Sequence, residues 1–245
     1  MSDQIEGRNP IIEALRSGRA LNKILMSNDV ERHTIIAEIL HLAKEKRVPV
    51  EHVTADIIKI KSLTGSPQGI IAYVASKEYI NIHDLLEIVK QKNEPAFILI
   101  LDGLEDPHNL GAILRTADAT GAQGIIIPER RSVGLTDTVA RVSAGAIEYV
   151  PVARTVNINN TIKLLKENDI WIVGVDQSGK RSMSDIDLKL PTALVVGGEG
   201  KGISSLVKEN CDEIVSIPMK GKISSLNASV AAAVVMYEVV RQRNI

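Results

Sequence analysis

The sequence predicts an α/β protein in two parts, a small N-terminal α/β domain followed by a larger α/β domain built on a parallel sheet. Three observations carry this. Short apolar runs alternate with helical patterns along all 245 residues. Beyond residue 95 the strand segments are nearly unbroken in apolar character, as strands buried on both faces are, and do not alternate. A polar, helix-forming stretch over residues 76–92 separates the two halves, giving domains at 1–75 and 93–245.

In the first half, Asn9-Pro10 starts a helix through Arg16, and Lys23 to Met26 reads as a strand. Glu31 to Lys46 is an amphipathic helix with Ile35, Ile36, Ile39, Leu40 and Ala43 inward. Val48 to Val53 is a strand, Thr54 caps a helix through Leu63, and Gly69 to Ala75 is a third strand. With ten Lys/Arg against nine Asp/Glu, this half is near neutral and carries no basic footprint of its own.

Tyr79 to Asn93 reads as a connecting amphipathic helix. Strands then follow at Phe97–Leu101, Gly124–Pro128, Glu148–Val152, Ile170–Val175, Thr192–Val196 and Glu213–Ile217. Between them lie helices at Asn109–Ala119, Thr138–Ala144, Asn160–Glu167 and Ile203–Asn210. Ser224, Ser225 and Asn227 offer caps to a closing helix bearing Leu226, Val230, Val234 and Tyr237. Its other faces are apolar too (Ala231, Ala232, Val235, Met236), so it should be covered all round.

Composition removes several classes. No apolar run approaches the roughly 20 residues that span a bilayer, and the N-terminus lacks a signal peptide's basic and apolar blocks. The single cysteine, Cys211, excludes an internal disulfide and a multi-cysteine zinc site, so no metal and a reducing, cytoplasmic compartment are expected. Aromatics are 2% of residues, too few for stacking platforms that hold single-stranded bases.

In an open parallel sheet ligands sit beyond the carboxyl ends of the strands, and three of those ends carry unusual loops. The first runs from Asp102 to Ala117, with Asp106 and Pro107 suited to open a helix and Asn109 in its first turn. Arg115 lies six residues further, roughly 240° around the helix from Asn109, so the two need not face one pocket within a subunit. The second loop, Gly197-Gly198-Glu199-Gly200-Lys201-Gly202, allows close backbone approach to a ligand. Its register fits neither the phosphate-cradling loop nor the dinucleotide fingerprint. The third, Ile217-Pro-Met-Lys-Gly-Lys-Ile-Ser-Ser-Leu-Asn227, leads into the closing helix. Singly, each residue has an ordinary explanation as a cap or a solvated charge.

Taken in this order, Asn109-x-Gly-x-x-x-Arg115-Thr-Ala, Val-Gly197-Gly-Glu-Gly-x-Gly-Ile-Ser and Ile217-Pro-Met-x-Gly-x-x-x-Ser225-Leu-Asn227 resemble the three signature motifs of the SpoU/TrmH branch of SPOUT methyltransferases. These are S-adenosylmethionine-dependent RNA ribose 2'-O-methyltransferases. The match covers about residues 96–243 with no departure at a motif position. The first half resembles the RNA-binding domain of members that act on large-subunit ribosomal RNA, and the layout is similar to those that methylate a guanosine of 23S rRNA.

The resemblance implies a trefoil knot in the C-terminal domain and a homodimer with the active site near its interface. It implies cofactor binding by Gly197, Gly198, Ile217, Met219 and Leu226. It implies Asn109, Arg115, Glu199, Ser225 and Asn227 as the catalytic frame. Lys201, Lys220, Lys222, Arg130, Arg131 and Arg141 are candidate phosphate contacts. A transfer RNA methyltransferase and a non-catalytic RNA-binding or ribosome-assembly protein are the alternatives. The first is disfavoured by the extra N-terminal domain, the second by the five intact polar site residues.

Overall fold

The computed structural model describes residues 2–31, 33–223 and 225–244, so Ser224 lies outside the described residues. In chain order its elements are β1 (Ser2–Glu6), α1 (Arg8–Arg16), β2 (Leu21–Ser27), α2 (Thr34–Glu45), β3 (Val50–Val53), α3 (Ala55–Lys61) and β4 (Ile70–Ala75). There follow α4 (Ile82–Gln91), β5 (Phe97–Asp102), α5 (Pro107–Ala119), β6 (Gly124–Pro128), α6 (Asp137–Val142), β7 (Val152–Thr155) and α7 (Ile158–Glu167). The last are β8 (Trp171–Val175), β9 (Arg181–Ser182), β10 (Thr192–Gly197), α8 (Ser205–Asn210), β11 (Glu213–Ser216) and α9 (Ala228–Arg243). Among the described residues no helix is long and apolar enough to cross a membrane.

Two compact units form, Met1–Glu78 with Gly134–Tyr149, and Tyr79–Val133 with Val150–Ile245. The first unit holds a four-stranded mixed sheet in the order β1-β4-β2-β3. β4 runs antiparallel to β1 and β2, and β3 is parallel to β2. Ile11 and Leu15 of α1, Ile36 and Ile39 of α2, and Ile24, Met26 and Ile70 of the strands are buried in its core. Glu6 is buried as well. Its carboxylate accepts from Gln4 Nε2, Ser62 Oγ, Leu63 N–H and Thr64 Oγ1, which pins the loop after α3. Thr54 takes the N-cap position of α3 but makes no side-chain cap bond.

The segment Gly134–Tyr149, which carries α6, packs with the N-terminal elements rather than with its sequence neighbours. A buried ion cluster shows why. The Glu148 side chain, 2% exposed, pairs with Arg19 at 2.8 Å and with Lys77 at 3.5 Å. Tyr149 Oη donates to Glu13. Charges taken out of water persist only when paired in this way.

The second unit is built on a seven-stranded sheet in the order β7-β6-β5-β10-β8-β11-β9. Every pairing in it is parallel. Ile98 to Leu101 and Ala193 to Val195 are fully buried, as strands covered on both faces must be. α4, expected as a connector, sinks Leu85, Leu86 and Val89 into this core. β9 is an edge strand beyond the six expected. The strand expected at Glu148–Val152 begins only at Val152, because Ala146–Glu148 turns as a 3₁₀ helix and Pro151 cannot donate to a ladder.

The closing helix α9 differs from expectation on one side. Ala232, Val235, Met236 and Val239 are buried, whereas Leu226, Val230 and Tyr237 stay 39%, 47% and 54% exposed. Gln242, near its end, is buried and satisfied by Leu188 N–H, Ile186 C=O and Glu238.

Candidate active site

β10 lies between β5 and β8, so the carboxyl ends of three central strands open side by side. Gly197 stands opposite Asp102 in the register. From there the two loops interlock: Gly198 N–H donates to the Asp102 carbonyl at 2.8 Å, and Ser204 N–H donates to Asp102 Oδ2 at 2.8 Å. Gly202 N–H donates back to the Gly198 carbonyl at 3.0 Å and closes the glycine-rich loop.

The glycines are demanded by these crossings. A Cβ on Gly198 would stand 2.0 Å from the Gly103 carbonyl oxygen, and one on Gly197 would stand 2.0 Å from the Gly202 carbonyl carbon. Both obstacles are backbone and cannot rotate away.

α5 opens as expected, with Pro107 in its first turn and Asp106 capping His108 N–H at 2.9 Å. The amide of buried Asn109 donates to Glu199 Oε1 and, more weakly, to Asp106 at 3.4 Å. Asn109 therefore links the first loop to the second, and its partner is Glu199 rather than Arg115. Arg115 is exposed on another side of α5. The helical angle separates them, as the sequence allowed.

The third loop follows β11, and Asn227 closes it by capping α9, its Oδ1 accepting from Ser229 N–H at 3.0 Å and Val230 N–H at 3.3 Å. A cavity of about 580 Å³ opens between the second and third loops. Gly197, Gly198, Glu199, Ile217, Met219, Ser225, Leu226 and Asn227 line it, and Arg115 does not. Asn109 reaches the wall through Glu199. Lys201 lines the cavity and is exposed, as are Lys220, Lys222, Arg130 and Arg131 elsewhere on this unit. Arg141 sits on α6 in the first unit, where its Nε is buried and has no hydrogen-bond partner among the described residues.

Sequence reasoning missed one wall. Val175, Asp176 and Gln177, at the end of β8, line the same cavity, as does Lys208. Burial raises the Asp176 carboxyl, but bonds from Lys208 and Ser178 outweigh it and hold it below the ordinary carboxylate range. The rule that ligands gather at strand carboxyl ends would have found this residue, since Asp176 directly follows an apolar strand. Cys211 does not line the cavity. Burial pushes its thiol up to about 12.

Comparison with known proteins decides the family. The model of the SpoU rRNA methylase family matches residues 96–237, and a model for RNA 2'-O ribose methyltransferase substrate binding matches residues 4–80. The chain is 48% identical over 242 residues to YacO of Bacillus subtilis, a TrmH family tRNA/rRNA methyltransferase by name, covering 99% of this chain and 96% of that protein. The chain belongs to the SpoU rRNA methylase family. It is thus of the class of RNA methyltransferases. The SpoU methyltransferase AviRb from Streptomyces viridochromogenes, in complex with the cofactor AdoMet, superposes with a TM-score of 0.81 at 27% identity. That match covers 99% of this chain and 91% of AviRb. A solved RNA 2'-O ribose methyltransferase gives 0.80 at 28% identity, over 99% and 89% of the two chains.

Proposed function

We propose that the protein transfers a methyl group from S-adenosylmethionine to the ribose 2'-hydroxyl of a guanosine in 23S ribosomal RNA. The cavity walled by three loops at the ends of β10, β8 and β11 carries this reading. Its volume of about 580 Å³ suits a small-molecule ligand. Ile217, Met219 and Leu226 offer apolar surface for a base and a methylene chain, and the Gly197–Gly198 backbone offers close approach. A cofactor without phosphates needs no phosphate cradle, which accounts for the missing nucleotide fingerprints.

Bound S-adenosylmethionine supplies a methyl group on a positively charged sulfur. The protein's part is to align the ribose oxygen with that methyl, to ease loss of the hydroxyl proton and to keep water out. A guanidinium is a poor base in proteins. Arg115 accordingly holds the neighbouring phosphate and stabilises charge developing on the ribose oxygen, as an oxyanion-hole donor does. Glu199, fixed by Asn109, and Ser225 and Asn227 at the entrance of α9 complete the polar frame.

Arg115 does not reach the cavity of its own chain, and Val230 and Tyr237 leave an apolar stripe on α9 uncovered. A homodimer packed on that stripe would cover it and bring Arg115 to the partner's site. A trefoil knot in this unit belongs to the same reading, and the close crossing of Gly198 over Gly103 is compatible with it. The first unit, matching the substrate-binding model, supports a large-subunit RNA target, with Lys201, Lys220, Lys222, Arg130 and Arg131 on phosphates. The same reading places the protein in the cytoplasm.

A transfer RNA substrate is the second reading, favoured by the breadth of the tRNA/rRNA name carried by YacO. Incubation with methyl-tritiated cofactor and unmodified ribosomal and transfer RNA fractions separates the two. Label recovered as 2'-O-methylguanosine from 23S rRNA is the expected result. Label confined to transfer RNA moves the substrate, and label in neither RNA sinks the enzymatic reading.

A further inference from the structure

The wall at the end of β8 has no role in the frame described so far. β8 is flanked by β10 and β11, so Asp176 emerges between the glycine-rich loop and the Ile217 loop. Its side chain is 9% exposed. Oδ2 pairs with Lys208 Nζ at 2.8 Å, and Oδ1 accepts from Ser178 N–H at 3.0 Å and Ser178 Oγ at 2.6 Å. A Cβ on Gly202 would stand 3.0 Å from Oδ2, so the glycine-rich loop lies directly against this carboxylate.

A nearly buried carboxylate is costly unless its oxygens are used, and here Lys208 and Ser178 use most of their capacity. An ionised carboxylate has about four acceptor directions and no proton to give. Protein donors take three of them, which leaves one free for a donor on a ligand. The ligand's donors are an ammonium, an adenine amine or ribose hydroxyls. Lys208 already neutralises the carboxylate and would repel a second cation at close range. A neutral hydroxyl meets no such opposition and gains a charge-assisted bond. In open α/β sheets, a carboxylate near the ligand crevice is a familiar partner for ribose hydroxyls.

We propose that Asp176, oriented by Lys208 and Ser178, accepts from one ribose hydroxyl of the cofactor's adenosine and so selects a ribonucleoside. This rests on the cavity being the cofactor site. Calorimetric titration with S-adenosylhomocysteine and with its 2',3'-dideoxyribose analogue tests both, with no turnover needed. Wild-type protein is expected to prefer the ribose form by about tenfold, the worth of one hydrogen bond to a charged group. Asp176→Asn should bind S-adenosylhomocysteine about tenfold more weakly and lose most of the preference. Lys208→Met leaves the carboxylate in place but unanchored, and should weaken the preference less; it carries the test if the first variant does not fold. A preference unchanged in both variants, or absent from the wild type while S-adenosylhomocysteine still binds, overturns the role of Asp176 alone. No binding of either compound by the wild type overturns the cofactor site itself.

Discussion

Replacing Gly198 by alanine tests the architecture of the site at its tightest point. The added Cβ would sit 2.0 Å from the Gly103 carbonyl oxygen, whereas ordinary contact begins at 3.4 Å, so one backbone has to retreat by about 1.4 Å. That movement pulls Gly198 N–H from Asp102 and Gly202 N–H from Gly198, both main-chain bonds at the rim. Two lost bonds at about 1 kcal/mol each, with overpacking of about 1–3 kcal/mol, give roughly 3–5 kcal/mol. For a unit of this size that lowers the unfolding midpoint by roughly 10 °C, and S-adenosylhomocysteine affinity should fall with the displaced rim. Gly200→Ala is the control. A Cβ there meets nothing within 4 Å, although φ is +77°, so the cost is confined to about 1–2 kcal/mol of backbone strain. Differential scanning calorimetry and titration of both variants decide the matter. If Gly198→Ala proves no worse than Gly200→Ala in both measurements, the interlocked crossing is not what holds the rim.

Further outcomes follow from individual contacts. Glu148→Ala leaves buried Arg19 and half-buried Lys77 without their shared partner, and should cost about 3 kcal/mol in urea unfolding; a loss below about 0.5 kcal/mol would show the cluster to be solvated. Burial raises the Glu6 carboxyl, but bonds from Thr64, Leu63, Ser62 and Gln4 hold it below 4.5. Its stabilisation is therefore present above pH 4.5 and lost as pH falls through the lower folded-state value, so Glu6→Gln should flatten the acid limb of a stability–pH curve. An acid limb identical to wild type would contradict this. Tyr237→Glu puts a charge on the uncovered stripe of α9 and should shift sedimentation from dimer to monomer; an unchanged mass removes that stripe from any interface. Arg115→Ala should abolish methyl transfer and leave S-adenosylhomocysteine affinity within about twofold, whereas near wild-type turnover would refute its assigned role.

Much of the second unit was legible because its strands announce themselves. Ile98 to Leu101 and Ala193 to Val195 are runs that only a doubly covered strand explains. The loops were legible as glycines and caps at strand ends, and eight of the ten candidate site residues line the cavity. The separate facing of Asn109 and Arg115 followed from helical geometry. What escaped was either weakly patterned or long-range. β1 has Ile5 as its one large apolar residue, and β9 is two residues long. The placement of Gly134–Tyr149 with the first unit depends on Arg19 and Glu148, 129 positions apart, which no local pattern encodes. Asp176 was overlooked because it belongs to no motif, although its position after β8 points into the site.

Backbone amide hydrogen exchange with and without S-adenosylhomocysteine bears most directly on whether three distant loops make one cofactor site. New protection should appear together at Gly198–Gly202, at Ile217 and Met219, and at the entrance of α9 around Asn227, with β8's end at Asp176 joining them. Protection confined to one loop, or falling instead on the first unit, would contradict it.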